Sequence, residues 1–387
     1  MLSITNIDDL KKIYRRRVPK MFFDYTESGS WAEQTFRENV TDFTDLRLRQ
    51  RVAVDMSGRH TRSKMVGDQV TMPVALAPVG LTGMQCADGE IKAALAAEQF
   101  GVPYTLSTMS ICSIEDVAAR TEKPFWFQVY VMKDKDYMSR LISRAKEAKC
   151  SALVITLDLQ VLGQRHKDIK NGLSAPPKLT AKTLLNLSTK WGWGIEMLGT
   201  RRKTFGNVVG HAKGVSDTSS LSSWTAEQFD PKLDWNKIKS LRKKWSDKVI
   251  LKGILDVEDA KLALNVGADA IIVSNHGGRQ LDGAQSTIRA LPAILDAVGD
   301  KIEVHLDGGI RSGQDVLKAI ALGAKGTYIG RAYIYGLGAM GQKGVRLALE
   351  IIQKELETTM ALCGHRNLDQ LSRDTLQIPA NFGCDWA

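Results

Sequence analysis

Eight short apolar runs rich in β-branched residues recur from residue 72 onward, and each leads into a stretch with helical periodicity. The runs are MPVALAPVG from Met72, PYTLS from Pro103, FWFQVY from Phe125, ALVITLD from Ala152, VILKG from Val249, AIIVSN from Ala270, EVHLDGG from Glu303 and GTYIG from Gly326. Hydrophobicity on both faces fits the strands of a parallel sheet. Between them helices are predicted over 88–100, 113–120, 134–149, 234–245, 257–266, 287–298 and 312–322, several opening on an Asp or Ser that suits an N-cap. Eight βα units at this spacing predict an α/β fold, a (β/α)8 TIM barrel, whose chemistry sits at the C-terminal ends of the strands.

Most of the runs lie about 20 to 30 residues from the next, but the fourth and fifth are separated by about 90, well beyond ordinary loop length. An insertion over 159–232 is therefore expected within a barrel spanning 72–335. Residues 1–71 are helix-prone and charged, with the aromatic cluster Phe22, Phe23, Tyr25, Trp31 and Phe36, and predict a helical cap. Residues 336–387 predict a closing amphipathic helix over 344–362 and a tail, so that 1–387 reads as one domain. A composition of 43% hydrophobic and 25% charged residues supports a large core rather than disorder. Five scattered cysteines, Cys86, Cys112, Cys150, Cys363 and Cys384, contain no C-x-x-C and argue against a disulfide framework or zinc ribbon, so a reducing compartment is expected. The opening MLSITNIDDLKKIYRRR has no apolar stretch behind its charges, and no run approaches the roughly 20 apolar residues that cross a bilayer. A soluble or surface-bound protein is expected.

The sixth run ends in Ser274-Asn275-His276-Gly277-Gly278-Arg279-Gln280, an imidazole and a guanidinium three residues apart on a glycine-softened loop. Arg279 offers planar, bidentate contact to a carboxylate, and His276 offers a base near neutrality, the two groups that oxidation of a 2-hydroxy acid requires. The paired glycines keep the backbone low enough to admit a flat ligand. Asp158, at the end of the fourth run, can hold the His276 tautomer and stabilise its imidazolium, and Arg165 follows closely. Gln128 and Tyr130 share one face of the third strand. An amide there suits a flavin pyrimidine edge and a phenol suits a substrate oxygen, although Tyr130 reads equally as barrel lining. Lys252 ends an apolar strand, a place for an ammonium only if it meets negative charge such as that of reduced flavin. Asp307-Gly308-Gly309-Ile310-Arg311 and Gly330-Arg331 stand after the seventh and eighth runs, where barrels of this class bind phosphate.

Other signals carry less. Gly336-Leu337-Gly338-Ala339-Met340-Gly341 matches G-x-G-x-x-G but opens no βαβ unit and reads as a turn before the last helix. No P-loop, H-E-x-x-H or G-x-S-x-G occurs, the six histidines show no metal-ligand spacing, and no metal is expected. His305, within the seventh run, reads as packed inside the barrel.

Taken together, the strand-end residues resemble the FMN-dependent 2-hydroxy acid dehydrogenase and oxidase family over essentially the whole chain. Its signature S-N-H-G-G-R-Q stands at Ser274–Gln280 and K-G-I-L at Lys252–Leu255. The resemblance implies an FMN cofactor, with His276 as base and Asp158 as its partner, and Tyr25, Tyr130, Arg165 and Arg279 as the substrate set, Arg279 and Tyr25 on the carboxylate. It places Pro78, Val79 and Gly80 beside the flavin, and Ser107, Gln128, Thr156, Lys252 and Ser274 on the ring and ribityl. Asp307, Gly308, Gly309, Arg311, Gly330 and Arg331 fall to the phosphate. Two positions depart: Met109 stands where glycolate oxidase has Trp, and Gly80 where many members have Ala, which argues against a glycolate-specific pocket. The stretches from Ala77 and Leu106 look most like the bacterial respiratory L-lactate dehydrogenases. That likeness implies oxidation of L-lactate to pyruvate with a quinone or cytochrome as acceptor, and a homotetramer. Use of O2 by a glycolate or longer hydroxy acid oxidase, or mandelate-type dehydrogenation, stays open.

A net charge of +10 suits an anionic partner or reflects a lysine-rich background, and no nucleic acid is expected. Residues 159–232 hold 11 Lys or Arg against 5 Asp or Glu, with Trp191, Trp193 and Trp224 and the run Arg201-Arg202-Lys203. Two readings follow: a segment docking on an anionic membrane surface, or a lid with a solvated basic face. A cytoplasmic protein, peripheral on the inner face of the cell membrane if the first reading holds, is expected. A basic membrane-binding protein without catalysis is the non-enzyme alternative, and it leaves the cations at the strand ends unexplained.

Overall fold

The computed structural model describes residues 3–172, 181–212, 215 and 228–383. Eight parallel strands form its centre: β1 (Val74–Leu76), β2 (Thr105–Ser107), β3 (Trp126–Tyr130), β4 (Ala152–Thr156), β5 (Lys248–Ile254), β6 (Ala270–Val273), β7 (Glu303–Leu306) and β8 (Gly326–Ile329). From β2 to β8 each strand pairs with the next in chain order, and β8 pairs with β1. A parallel bridge from Leu76 to Tyr104 joins β1 to β2 and closes the barrel. Every expected run is a strand.

Two apolar layers hold this ring. Inside it, Met65, Trp126, Val154, Ile250, Ile272 and Tyr328 pack together, with Met65 supplied by a short hairpin, Ser63–Met65 against Asp68–Val70. His305 is fully buried and its ring contacts Glu303 at 3.0 Å and Tyr328 at 3.4 Å, as its reading within the barrel required. Outside, the other face of each strand packs on the helices. Ser113, Asp134, Asp234 and Ser312 cap the N-termini of four of them, each accepting a backbone N–H two or three residues into the helix. Asp88 departs from this pattern. It is left-handed, with φ 55°, and instead of capping it accepts from Thr200 (2.7 Å) and Arg202 (3.1 Å), fastening the insertion to the barrel.

Helices α1 (Ile7–Arg17), α2 (Lys20–Thr26) and α3 (Gln34–Thr41) form the expected cap, and the loop between α2 and α3 reaches over the C-terminal ends of the strands. Ser30 N–H donates to the Gly278 carbonyl there, and Trp31 N–H to Gln164. Trp31 itself is 42% exposed, so it stands outside the aromatic packing expected of it. The described part of the insertion is helical over His166–Lys170, Ala181–Ser188 and Trp191–Gly199; it leans on the cap, where Lys20 N–H donates to Asn186 Oδ1 (2.7 Å), and on the barrel, where Trp193 Nε1 donates to the Met84 carbonyl (2.9 Å). Trp224 and Cys384 lie outside the described residues. The four described cysteines are free and buried.

The glycine-rich run after β8 is not a turn. Gly336–Met340 lie inside a helix, Arg331–Met340, and the chain turns only at Gly341, with φ 62°. The glycines are there for close packing: a Cβ on Gly336 would stand 2.2 Å from the Gly344 carbonyl oxygen, and one on Gly338 2.1 Å from the Tyr14 ring. Backbone cannot swing aside as a side chain can. Gly336→Ala is therefore expected to lower stability by about 1–3 kcal/mol, read as a fall in the denaturation midpoint; an unchanged midpoint would show that the two helices tolerate separation.

Candidate active site

Strand pairing assembles the polar groups. The register sets Ser107 opposite Gln128 and Thr156 opposite Lys252, so a polar band encircles the mouth of an otherwise apolar barrel. Ser107 Oγ donates to Gln128 Oε1 (3.0 Å), and Gln128 Nε2 donates to Thr156 Oγ1 (3.0 Å). Lys252 Nζ is 2.8 Å from Ser274 Oγ and 3.0 Å from Asp307 Oδ2. Burial alone would lower the Lys252 pKa, but the carboxylates of Asp307 and Asp158 outweigh it and raise it, so the ammonium stays charged. Asp307 Oδ1 has no hydrogen-bond partner among the described residues.

Above this band opens a cavity of about 680 Å³, within the range of ordinary cofactor and ligand sites. His276 and Arg279 both line it. His276 Nδ1 lies 2.9 Å from Asp158 Oδ1, leaving Nε2 as the ring nitrogen not engaged with a protein carboxylate. Burial, followed by the neighbouring Lys252, depresses the His276 pKa against the opposing pull of Asp158, so the resting imidazole is neutral and able to accept a proton. Burial pushes the Asp158 carboxyl up, yet His276 and Lys252 outweigh it and hold it below the usual range. Tyr130 stacks on the imidazole at 6.5 Å between centroids and meets Phe229 edge-on.

Arg279 is held by the cap. Its Nη1 donates to the carbonyls of Tyr25 (2.6 Å) and Ser28 (3.1 Å) and to Ser28 Oγ (2.8 Å), and its plane lies 4.6 Å from the Tyr25 ring centroid. Nη2 is buried and makes no hydrogen bond among the described residues, its nearest carboxylate oxygen, Asp168 Oδ2, being 3.9 Å away. Arg165 joins this group through Asp168 at 3.3 Å and lies 6.0 Å from the Tyr25 ring. A planar donor buried without an acceptor suits a substrate carboxylate.

Pro78, Val79, Gly80, Met109, Gly308, Gly309, Arg311 and Gly330 line the same cavity. Gly308 and Gly309 are left-handed, at φ 94° and 83°, and a Cβ on Gly309 would fall 1.7 Å from the Asn39 carbonyl oxygen. Arg331 also lines it, but its guanidinium is committed elsewhere: Nε donates to Thr26 O, Nη1 to Gly277 O and Nη2 to Ser28 O, and it stacks 4.5 Å from Phe36. Burial and the neighbouring Arg311 lower its pKa to about 10. What the Gly330-Arg331 pair offers an anion is the N-terminus of helix Arg331–Met340, whose first N–H groups have no intrahelical acceptor. Gly277 lines the cavity, and both glycines also make room for the protein itself. A Cβ on Gly277 would strike Arg331 Nη1 (2.7 Å), and one on Gly278 would strike the Phe36 backbone of the cap (2.5 Å).

Four contributors were not assigned a role from the sequence. Ser28 and Asp168 orient Arg279, Phe229 supports Tyr130, and Gln280 Nε2 bonds the carbonyls of Asp158 (2.6 Å) and Val161 (2.8 Å). Asp168 had a readable clue in its three-residue spacing from Arg165, and Gln280 stands in the S-N-H-G-G-R-Q signature; Ser28 and Phe229 had none.

The comparisons with known proteins agree with this geometry. The FMN-dependent dehydrogenase family matches residues 14–378. The chain belongs to that family. Among its relatives, the L-lactate dehydrogenase of Caulobacter sp. (strain K31) is 45% identical over 97% of this chain and 99% of its own. The L-lactate dehydrogenase of Actinobacillus pleuropneumoniae serotype 5b (strain L20) is 45% identical over 97% and 98%. Of solved structures, the monotopic membrane protein (S)-mandelate dehydrogenase superposes with a TM-score of 0.93 at 33% identity, covering 97% of this chain and all of that one. FMN is accordingly the cofactor, and the site fits it: buried cations, an orphaned Asp307 oxygen beside Lys252, and a helix N-terminus meet in one cavity.

The His276–Asp158 pair sets an expectation for an FMN-dependent dehydrogenase. With His276 as the base, activity is expected to fall on the acid side only below the ordinary imidazole range, because burial depresses its pKa. Asp158→Asn removes the group that raises that pKa, so the acid limb of kcat/KM moves to lower pH and kcat falls by roughly a hundredfold or more. A pH profile that keeps both limb and rate would remove Asp158 from the site.

Proposed function

We propose that this enzyme oxidises L-lactate to pyruvate and delivers the electrons to a respiratory quinone or cytochrome at the membrane face. The observation that carries the reading is the placement of a neutral, carboxylate-backed imidazole beside the unpartnered Nη2 of Arg279. The two L-lactate dehydrogenases at 45% identity support the small substrate. Arg279 binds the substrate carboxylate, with Arg165 and Tyr25 flanking it and Tyr130 beside the hydroxyl-bearing carbon. Oxidation removes two electrons and two protons, and His276 takes the first proton at Nε2 while Asp158 keeps the Nδ1 proton in place and stabilises the imidazolium.

FMN supplies the two-electron acceptor when bound. Its ring would rest against Pro78, Val79 and Gly80, with Ser107, Gln128, Thr156, Lys252 and Ser274 toward the pyrimidine edge and ribityl. Its phosphate would meet Gly308, Gly309, Arg311 and the N–H groups after Gly330, with Asp307 bonding the ribityl. The Lys252 ammonium favours the negative charge that reduction brings to the ring. Anaerobic addition of L-lactate to the yellow protein is expected to bleach the flavin, with D-lactate inert and glycolate and mandelate slower. Bleaching by mandelate alone would transfer the substrate assignment to aromatic hydroxy acids, and no bleaching by any of them would end the proposal.

The insertion supports peripheral attachment. Trp191, Ile195 and Leu198 are 77%, 69% and 79% exposed on one helix, and Leu184 and Leu185 project from its neighbour. Apolar side chains this exposed beside Lys190 and the exposed Arg201 suit the boundary between headgroups and acyl chains. No described helix is long and apolar enough to cross a membrane. The combined substitutions Trp191→Ser, Ile195→Ser and Leu198→Ser are expected to abolish co-sedimentation with anionic vesicles while flavin content and turnover persist. Retained binding would return the insertion to the role of a solvated lid.

A further inference from the structure

A second cavity, of about 570 Å³, lies away from the catalytic mouth, between the C-terminus of α1, the helix Gly89–Phe100 and the N-terminus of the closing helix Gln342–Leu362. Four cations line it, Arg17, Lys92, Lys343 and Arg346, against one carboxylate, Glu196. Arg17 pairs with that carboxylate at 2.8 Å and Arg346 turns to Glu350 at 2.8 Å. Lys92 and Lys343 pair with no carboxylate among the described residues. The contact of Lys92 Nζ is the Cys86 sulfur, 3.2 Å away, and burial raises the Cys86 pKa, so this thiol is neutral and offers the ammonium no charge. The closing helix has 21 residues, no side chain caps its N-terminus, and its first turn holds no acid. Gly341, at φ 62°, precedes it, and a Cβ there would sit against Lys92 and Cys86, inside the cavity.

The cavity adjoins the insertion. Glu196, in its wall, sits between Ile195 and Met197 on the helix that carries Trp191, Ile195 and Leu198. With that helix at the headgroup boundary, Lys92, Lys343 and the helix N-terminus stand where phosphate esters are concentrated.

We propose that this cavity is a phosphate-binding site that takes the phosphate of an anionic phospholipid headgroup, and so fixes the orientation in which the enzyme sits on the membrane. The proposal rests on the membrane-docking reading, and the test separates the two. The holoenzyme and its Lys92→Gln/Lys343→Gln variant are sedimented with phosphatidylcholine vesicles carrying equal charge as phosphatidylglycerol or as oleate. Neither lysine lines the catalytic cavity, so flavin content and turnover with soluble acceptors serve as the check on folding.

The wild-type protein is expected to favour the phosphatidylglycerol vesicles, and the variant to lose about tenfold or more of that binding while keeping its affinity for oleate vesicles. Equal binding to both vesicle types, unaltered in the variant, would overturn the phosphate site and leave membrane docking standing. Absence of binding to either vesicle would overturn docking and the lipid source together. In that event, calorimetric titration with inorganic phosphate decides the rest: heat seen with wild type and lost in the variant assigns the cavity to a free phosphate compound, and no heat removes the site.

Discussion

Positive charge held out of water is the constraint around which this molecule is organised. Lys252, Arg279 and Arg331 are all buried at one end of the barrel, where an uncompensated cation would cost several kcal/mol. Each is answered differently. Lys252 has the Asp307 carboxylate, Arg331 has three backbone carbonyls, and Arg279 has two carbonyls and a hydroxyl on one nitrogen with the other left over. The leftover donor faces the cavity that the cofactor and substrate must share. Groups that satisfy the neighbouring cations hold the site in place, and a nitrogen without an acceptor among the described residues suits an incoming anion.

The same arrangement explains why so much of the site could be read from the chain and why some could not. Barrel strands announce themselves because burial on both faces demands continuous apolar runs, and a charged residue at the end of such a run, such as Lys252 or Asp307, stands out against them. His276, Arg279 and Asp158 were legible for that reason. Ser28 and Phe229 were not, since each acts through a partner far away in the chain and nothing in its own neighbourhood distinguishes it. Arg331 shows the opposite failure. Its position after the eighth strand was informative, but which acceptors its side chain would find depended on where the cap settled. Glycine carried a further meaning that the chain did not show: Gly277-Gly278 and Gly336–Gly341 also mark approaches of protein to protein, with Arg331 and Phe36 in one case and Gly344 and Tyr14 in the other.

The insertion between the fourth and fifth strands is tied to the barrel at one end and exposes apolar side chains at the other. It hangs from the barrel by Arg202, which bridges Asp88 and Asp116, and by Trp193 against the Met84 carbonyl. Residues of the same segment, Arg165, Asp168 and Lys203, line the catalytic cavity. One stretch of chain thus reaches from the arginines of the cavity to the helix with Trp191 and Leu198 exposed on its surface, so the pocket wall and the exposed apolar face belong to a single structural unit.

The loop that crowns the pocket has a consequence for assembly. The carbonyls of Tyr25, Thr26 and Ser28 are gripped by guanidinium groups that follow them by 251 to 305 residues, at the exits of the sixth and eighth strands. Contacts so far apart in the chain are slow to close and depend on the intervening strands having brought their partners together. A barrel that closed without the loop would retain its strands and its lysine but hold Arg279 loosely, so the grip on that arginine is built on the barrel and not ahead of it.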